Sequence, residues 1–96
     1  MAKKLPIKTR ILEWCIENDR PITAKQLSKI LAEEYQHEKT TTIPNIEKQM
    51  LCYCRVGMLD PVGLDESSDP PYIQYQITEA GKEEAKYIPG HGNKYF

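Results

Sequence analysis

The chain has 96 residues, 28% charged and 40% hydrophobic, with a formal net charge of −1, enough for one domain around a single modest core. Its apolar runs fall well short of the ~20 residues of a membrane span, and the basic stretch 1–10 lacks the apolar centre of a signal peptide, so a cytoplasmic protein is expected. Charge is unevenly placed: residues 1–55 hold ten Lys/Arg against seven Asp/Glu, and residues 56–96 hold three against seven, so an anionic partner should meet the first half.

Residues 1–6 read as a basic N-terminal arm. Ile7 to Asn18 carries Ile7, Ile11, Trp14 and Cys15 at helical spacing, with Leu12 and Ile16 widening the stripe. Asp19-Arg20-Pro21 ends this helix, because proline disfavours helical geometry in the residue before it. Ile22 is a short extended link. Thr23 and Gln26 have capping-box spacing, and Leu27, Ile30, Leu31 and Tyr35 give the second helix its buried stripe. A polar turn follows from Gln36 to Thr42. Thr41 or Thr42 then caps a third helix over 43–56, with Pro44 in its first turn, where proline is tolerated. Ile43, Ile46, Met50, Tyr53, Cys54 and Gly57 fall on one side of it, and Asn45, Lys48, Gln49, Cys52 and Arg55 on the other.

Gly57 suits a helix C-terminus, where a left-handed conformation costs glycine little. Met58 to Val62 reads as a strand, with Pro61 arguing for an edge position or a bulge. Gly63 to Pro71 is a loop. Tyr72 to Ile77 alternates, placing Tyr72, Gln74 and Gln76 on one face and Ile73, Tyr75 and Ile77 on the other. Thr78 caps a last helix, Glu79 to about Tyr87. Gly81 within it costs about 1 kcal/mol relative to Ala, which implies a packing reason. Residues 88–96 read as a loose tail.

The order of these elements, with Arg20-Pro21-Ile22-Thr23-Ala24-Lys25-Gln26-Leu27, Gly57-Met58-Leu59 and Tyr75-Gln76-Ile77-Thr78-Glu79-Ala80-Gly81, resembles the winged helix-turn-helix domains of bacterial and archaeal transcriptional regulators. The PadR and MarR groups are nearest in pattern, and the resemblance covers residues 7–87. It implies a mostly helical α+β winged helix: three helices, a two-stranded β-hairpin wing and a C-terminal helix. It also implies sequence-specific binding of double-stranded DNA, with the third helix in the major groove. Carried onto this chain, the DNA-binding residues would be Thr41, Thr42, Asn45, Lys48, Gln49, Cys52 and Arg55, with phosphate contacts from Lys25 and Lys29 and from Lys3, Lys4, Lys8 and Arg10. Small regulators of this kind often dimerise through terminal helices, which gives Tyr87, Tyr95 and Phe96 a role on a second chain.

The wing tip departs from that pattern. Leu64-Asp65-Glu66-Ser67-Ser68-Asp69 holds three acids and no base and should repel phosphate, which motivates a second expectation: a winged-helix protein-interaction module that engages a partner through its acidic wing. Neither reading involves a cofactor. Three cysteines, an odd number, fit a reducing interior better than a disulfide framework. Cys52 and Cys54 are two residues apart on a helix and point about 200° apart, a poor grip on one tetrahedral ion. Cys54 is expected buried and Cys52 exposed. His37 and His91 have no ligand spacing, and the sequence contains no Ser/His/Asp set or phosphate-binding glycine loop, so neither a metal site nor an enzyme is expected.

Overall fold

In the computed structural model, which describes residues 5–88, the chain is a mostly helical α+β fold with one small antiparallel sheet. Helix α1 (Ile7–Asn18) buries Ile11, Leu12, Trp14 and Cys15, the stripe its spacing predicts. It ends at Asp19, whose backbone is left-handed (φ 45°) and whose N–H closes onto the Cys15 carbonyl. Strand β1 (Ile22–Thr23) and helix α2 (Ala24–Glu34) follow. The Thr23–Gln26 capping box is complete: each side chain bonds the other residue's backbone N–H at 3.1 Å.

Helix α3 (Ile43–Arg55) buries Ile46, Met50 and Tyr53, with Ile43 and Cys54 half-buried beside them. Thr42 occupies its N-cap position without a side-chain capping bond. Its C-terminus is a Schellman turn. The Met58 N–H reaches the Tyr53 carbonyl at 2.9 Å, the Gly57 N–H reaches Cys54 at 3.1 Å, and Gly57 takes the required positive φ of 85°.

Strands β2 (Leu59–Asp65) and β3 (Tyr72–Ile77) form a hairpin, and the sheet order is β1-β3-β2. Ile22, expected as a mere link, pairs with Tyr75, and Thr23 pairs with Gln74. Two residues carry no periodicity from which to read a strand, so only the partner reveals it. Pro61 lies on edge strand β2, next to a register shift between Pro61 and Gly63, so both readings of that proline hold. The strand runs on to Asp65, which shortens the expected loop. Leu59, Tyr75 and Ile77 are buried.

Thr78 accepts the Gly81 N–H at 3.0 Å and opens helix α4 (Glu79–Glu83). The α-helix stops there and tightens into a 3-10 turn over Glu84–Tyr87, rather than running on to Tyr87. Ile88, assigned to a loose tail by sequence, is a buried core residue; residues 89–96 lie outside those described. Among the described residues no helix is long and apolar enough to cross a membrane.

Gly81 has its packing reason. A Cβ there would run into the Met58 carbonyl oxygen and lie 2.5 Å from Ile77 Cδ1. Gly81→Ala gains about 1 kcal/mol of helix propensity but overpacks a junction where backbone must move, at roughly 1–3 kcal/mol. The upper end applies against a backbone oxygen, so a net loss of stability is expected, read as a lower urea midpoint. Gly57→Ala meets no neighbouring atom and should lose about 1 kcal/mol from its left-handed backbone alone.

Asp19 Oδ2 lies 3.0 Å from Lys82 Nζ, joining the end of α1 to α4. This bond, with a hydrogen bond from Gln76, holds the Asp19 carboxyl below its ordinary range. Its contribution is therefore complete above the unfolded pKa of about 4 and fades as pH falls through the lower folded value. Lys82→Met should flatten that part of the acid limb of a stability–pH curve.

Candidate nucleic-acid interface

Helix α3 lies between α2 and the hairpin, and the core stripe on one side leaves the opposite side facing out. Pro44, Glu47, Lys48, Leu51 and Arg55 are exposed on that outer side. Lys48 and Arg55 form no ion pair or side-chain hydrogen bond among the described residues. Seven positions apart on a 3.6-residue repeat, they share a face about two turns apart.

The other predicted contact residues are placed less uniformly. Thr42 is exposed at the helix start. Asn45, Gln49 and Cys52 are half-buried, and Asn45 uses its amide to donate to the Thr40 carbonyl at 2.7 Å. Thr41 is 4% exposed: its hydroxyl donates to the Glu38 carbonyl at 2.7 Å, and its own carbonyl accepts from the buried Ser28 hydroxyl. It supports the turn before α3 and does not present its side chain to a ligand.

Of the four expected phosphate-contacting cations among the described residues, Lys8, Arg10, Lys25 and Lys29, the first three are engaged within the fold. Arg10 grips Glu34 through two bonds of 2.9 and 3.0 Å and also bonds Glu13 and Glu17. Those carboxylates push its pKa further up, with burial acting against them. Arg10 is a strut between α1 and α2, because three acids on those helices converge on it. Lys25 reaches over to the hairpin loop, with Nζ 3.1 Å from Ser68 Oγ. Lys8 lies over the Tyr53 ring at 5.9 Å, where the Tyr53 hydroxyl donates to the Lys8 carbonyl at 2.7 Å. Lys29 is exposed on α2. Lys3 and Lys4 lie outside the described residues.

Sequence reasoning missed the apolar part of this face. Pro44, Glu47, Lys48 and Leu51 from α3 and Ile73 and Tyr75 from β3 line an open groove of about 380 Å³. Leu51 is 40% exposed and Ile73 39%. Ile73 alternates in phase with buried Tyr75 and Ile77 but stays partly exposed where it lines this open groove. Leu51 sits one residue, or about 100°, from Met50, and that off-stripe position was the available signal. At the hairpin tip, Asp65 Oδ1 accepts from the Ser67 N–H and hydroxyl at 3.0 and 2.6 Å, which hold its carboxyl below the usual range. Asp65 and Ser67 therefore close a local turn at the acidic tip.

Among the described residues no three His, Cys, Asp or Glu side chains are grouped to hold a metal ion. Cys52 and Cys54 are both half-buried, rather than one exposed and one buried. Cys15 is buried, and burial pushes its thiol up to about 12. A thiol reagent near pH 8 should therefore modify Cys15 only once urea unfolds the chain, while Cys52 reacts in the native state; equal native rates would contradict this placement. Comparison with known proteins gives no matching family model, no matching curated protein and no matching solved structure, so the functional reading rests on the geometry alone.

Proposed function

We propose that the chain is a winged-helix protein that binds double-stranded DNA sequence-specifically, as a small transcriptional regulator with α3 in the major groove. The observation that carries the reading is α3 itself: a 13-residue helix flanked by a hairpin, with Lys48 and Arg55 outward and unengaged among the described residues. The order helix, short strand, helix, helix, hairpin, with β3 paired to both other strands, supports the winged-helix assignment. Thr42, Asn45, Gln49 and Cys52 border the two cations. Arg and Lys suit guanine edges, and Asn and Gln suit adenine edges.

A second reading has its own observation. The acidic tip and the apolar groove beside α3 suit a protein partner better than phosphate, so the alternative is an interaction module working through the hairpin.

Titrating a labelled duplex by fluorescence anisotropy at several salt concentrations tests the first reading. Log affinity should fall against log salt with a slope of about −0.9 per phosphate contact. Lys48→Ala and Arg55→Ala should each weaken binding by roughly tenfold or more without changing the fold. Unchanged affinity in both variants would remove α3 as the reading element. Absence of duplex binding at low salt would move the interaction module ahead.

A further inference from the structure

The acidic hairpin tip touches a cation that a nucleic-acid backbone would also claim. Lys25 is exposed in the first turn of α2 and carries its ammonium to the tip, with Nζ 3.1 Å from Ser68 Oγ. The Asp65 carboxyl is held down first by the Ser67 hydroxyl and N–H and then by the charge of Lys25. A hydroxyl oxygen and a carboxylate thus stand where phosphate oxygens would approach Lys25.

The contact is lightly held. Every β2 residue from Asp60 to Leu64 is exposed, so the outer hairpin rests mainly on its own ladder. Among the described residues, the Lys25–Ser68 bond is the one side-chain hydrogen bond that joins residues 62–72 to another element. The register shift between Pro61 and Gly63 interrupts the ladder between the buried root, at Leu59 and Ile77, and the tip. Segments with few buried contacts open at a small fraction of the global unfolding free energy.

We propose that the acidic tip is an internal stand-in for phosphate, which occupies Lys25 in the free protein and lifts away when a nucleic-acid backbone takes its place. This latch rests on the duplex-binding reading and gives the acidic tip a part in it. Lys25 belongs to the sequence-independent share of the affinity, so the closed tip lowers that share and leaves base reading by α3 untouched.

A double-mutant cycle in the anisotropy titration, with the full chain and one duplex at low salt, tests the latch. Asp65→Asn/Ser68→Ala removes the two groups that meet Lys25 and keeps an acceptor for the Ser67 turn. This variant should bind about two- to fivefold tighter than the native protein, with a log–log salt slope steeper by about 0.9, or one phosphate contact. Lys25→Ala should change native affinity by less than about twofold and should cancel the gain in the opened protein. No gain, or a gain that survives Lys25→Ala and so reflects bulk charge alone, would overturn the latch. If no variant binds a duplex, the proposed function fails, and inorganic polyphosphate replaces the duplex as the anion. The same Lys25-dependent gain then sustains the latch, and its absence overturns it.

Discussion

Strand β3 is the constraint on which the other elements depend. It is the middle strand of the sheet, and its Tyr75 and Ile77 enter the core. A two-residue strand and an isolated hairpin are each marginal in water. Pairing both to β3 makes one sheet that helices can cover. Through Ile22 and Thr23 it holds the α1–α2 connection, and Thr23 is at once a ladder partner and the N-cap of α2. At its far end Thr78 donates its hydroxyl to the Gly57 carbonyl at 2.6 Å and its N–H to Met58 at 3.0 Å. The end of α3 and the start of α4 are therefore bound to the same strand, and the outward face of α3 follows from that clamp.

Polar groups complete the clamp where apolar contact runs out. Tyr53 reaches across the core to the first turn of α1, and its burial pushes the phenol up to about 12. Ser28 ties α2 to the turn before α3. Arg10, Lys25 and Lys82 each join two elements that are distant in sequence. Exposed pairs of this kind contribute little individually, about 0–1 kcal/mol. Their larger consequence is electrostatic: cations answered by internal acids or hydroxyls leave Lys48 and Arg55 as the open positive charges on the α3 face. The electrostatic character of that face thus depends on which charges the fold has already answered.

Much of the local structure is legible in the residues. The 3.6-residue stripe of α1, the Thr23–Gln26 box, the Gly57 turn, the alternation of β3 and the Thr78 cap are set by interactions within about six positions, and each lies where its pattern points. The same locality explains the failures. Ile22 and Thr23 form a strand only because β3 arrives 50 residues later, as the Ile22–Tyr75 register records. Ile88 is buried, and no periodicity in a terminal stretch could announce it.

The candidate face divides in the same way. Sequence alone determined that α3 is amphipathic, that Lys48 and Arg55 point away from its core stripe, and that the hairpin tip is acidic, because side-chain direction on a helix and the composition of a turn are local properties. Only the tertiary structure decided that Thr41 is buried, that Arg10 is a strut, and that Leu51 and Ile73 meet along one groove. Each of those outcomes depends on which surfaces are brought together across tens of residues, and the burial and charge a side chain meets are set by its neighbours in space.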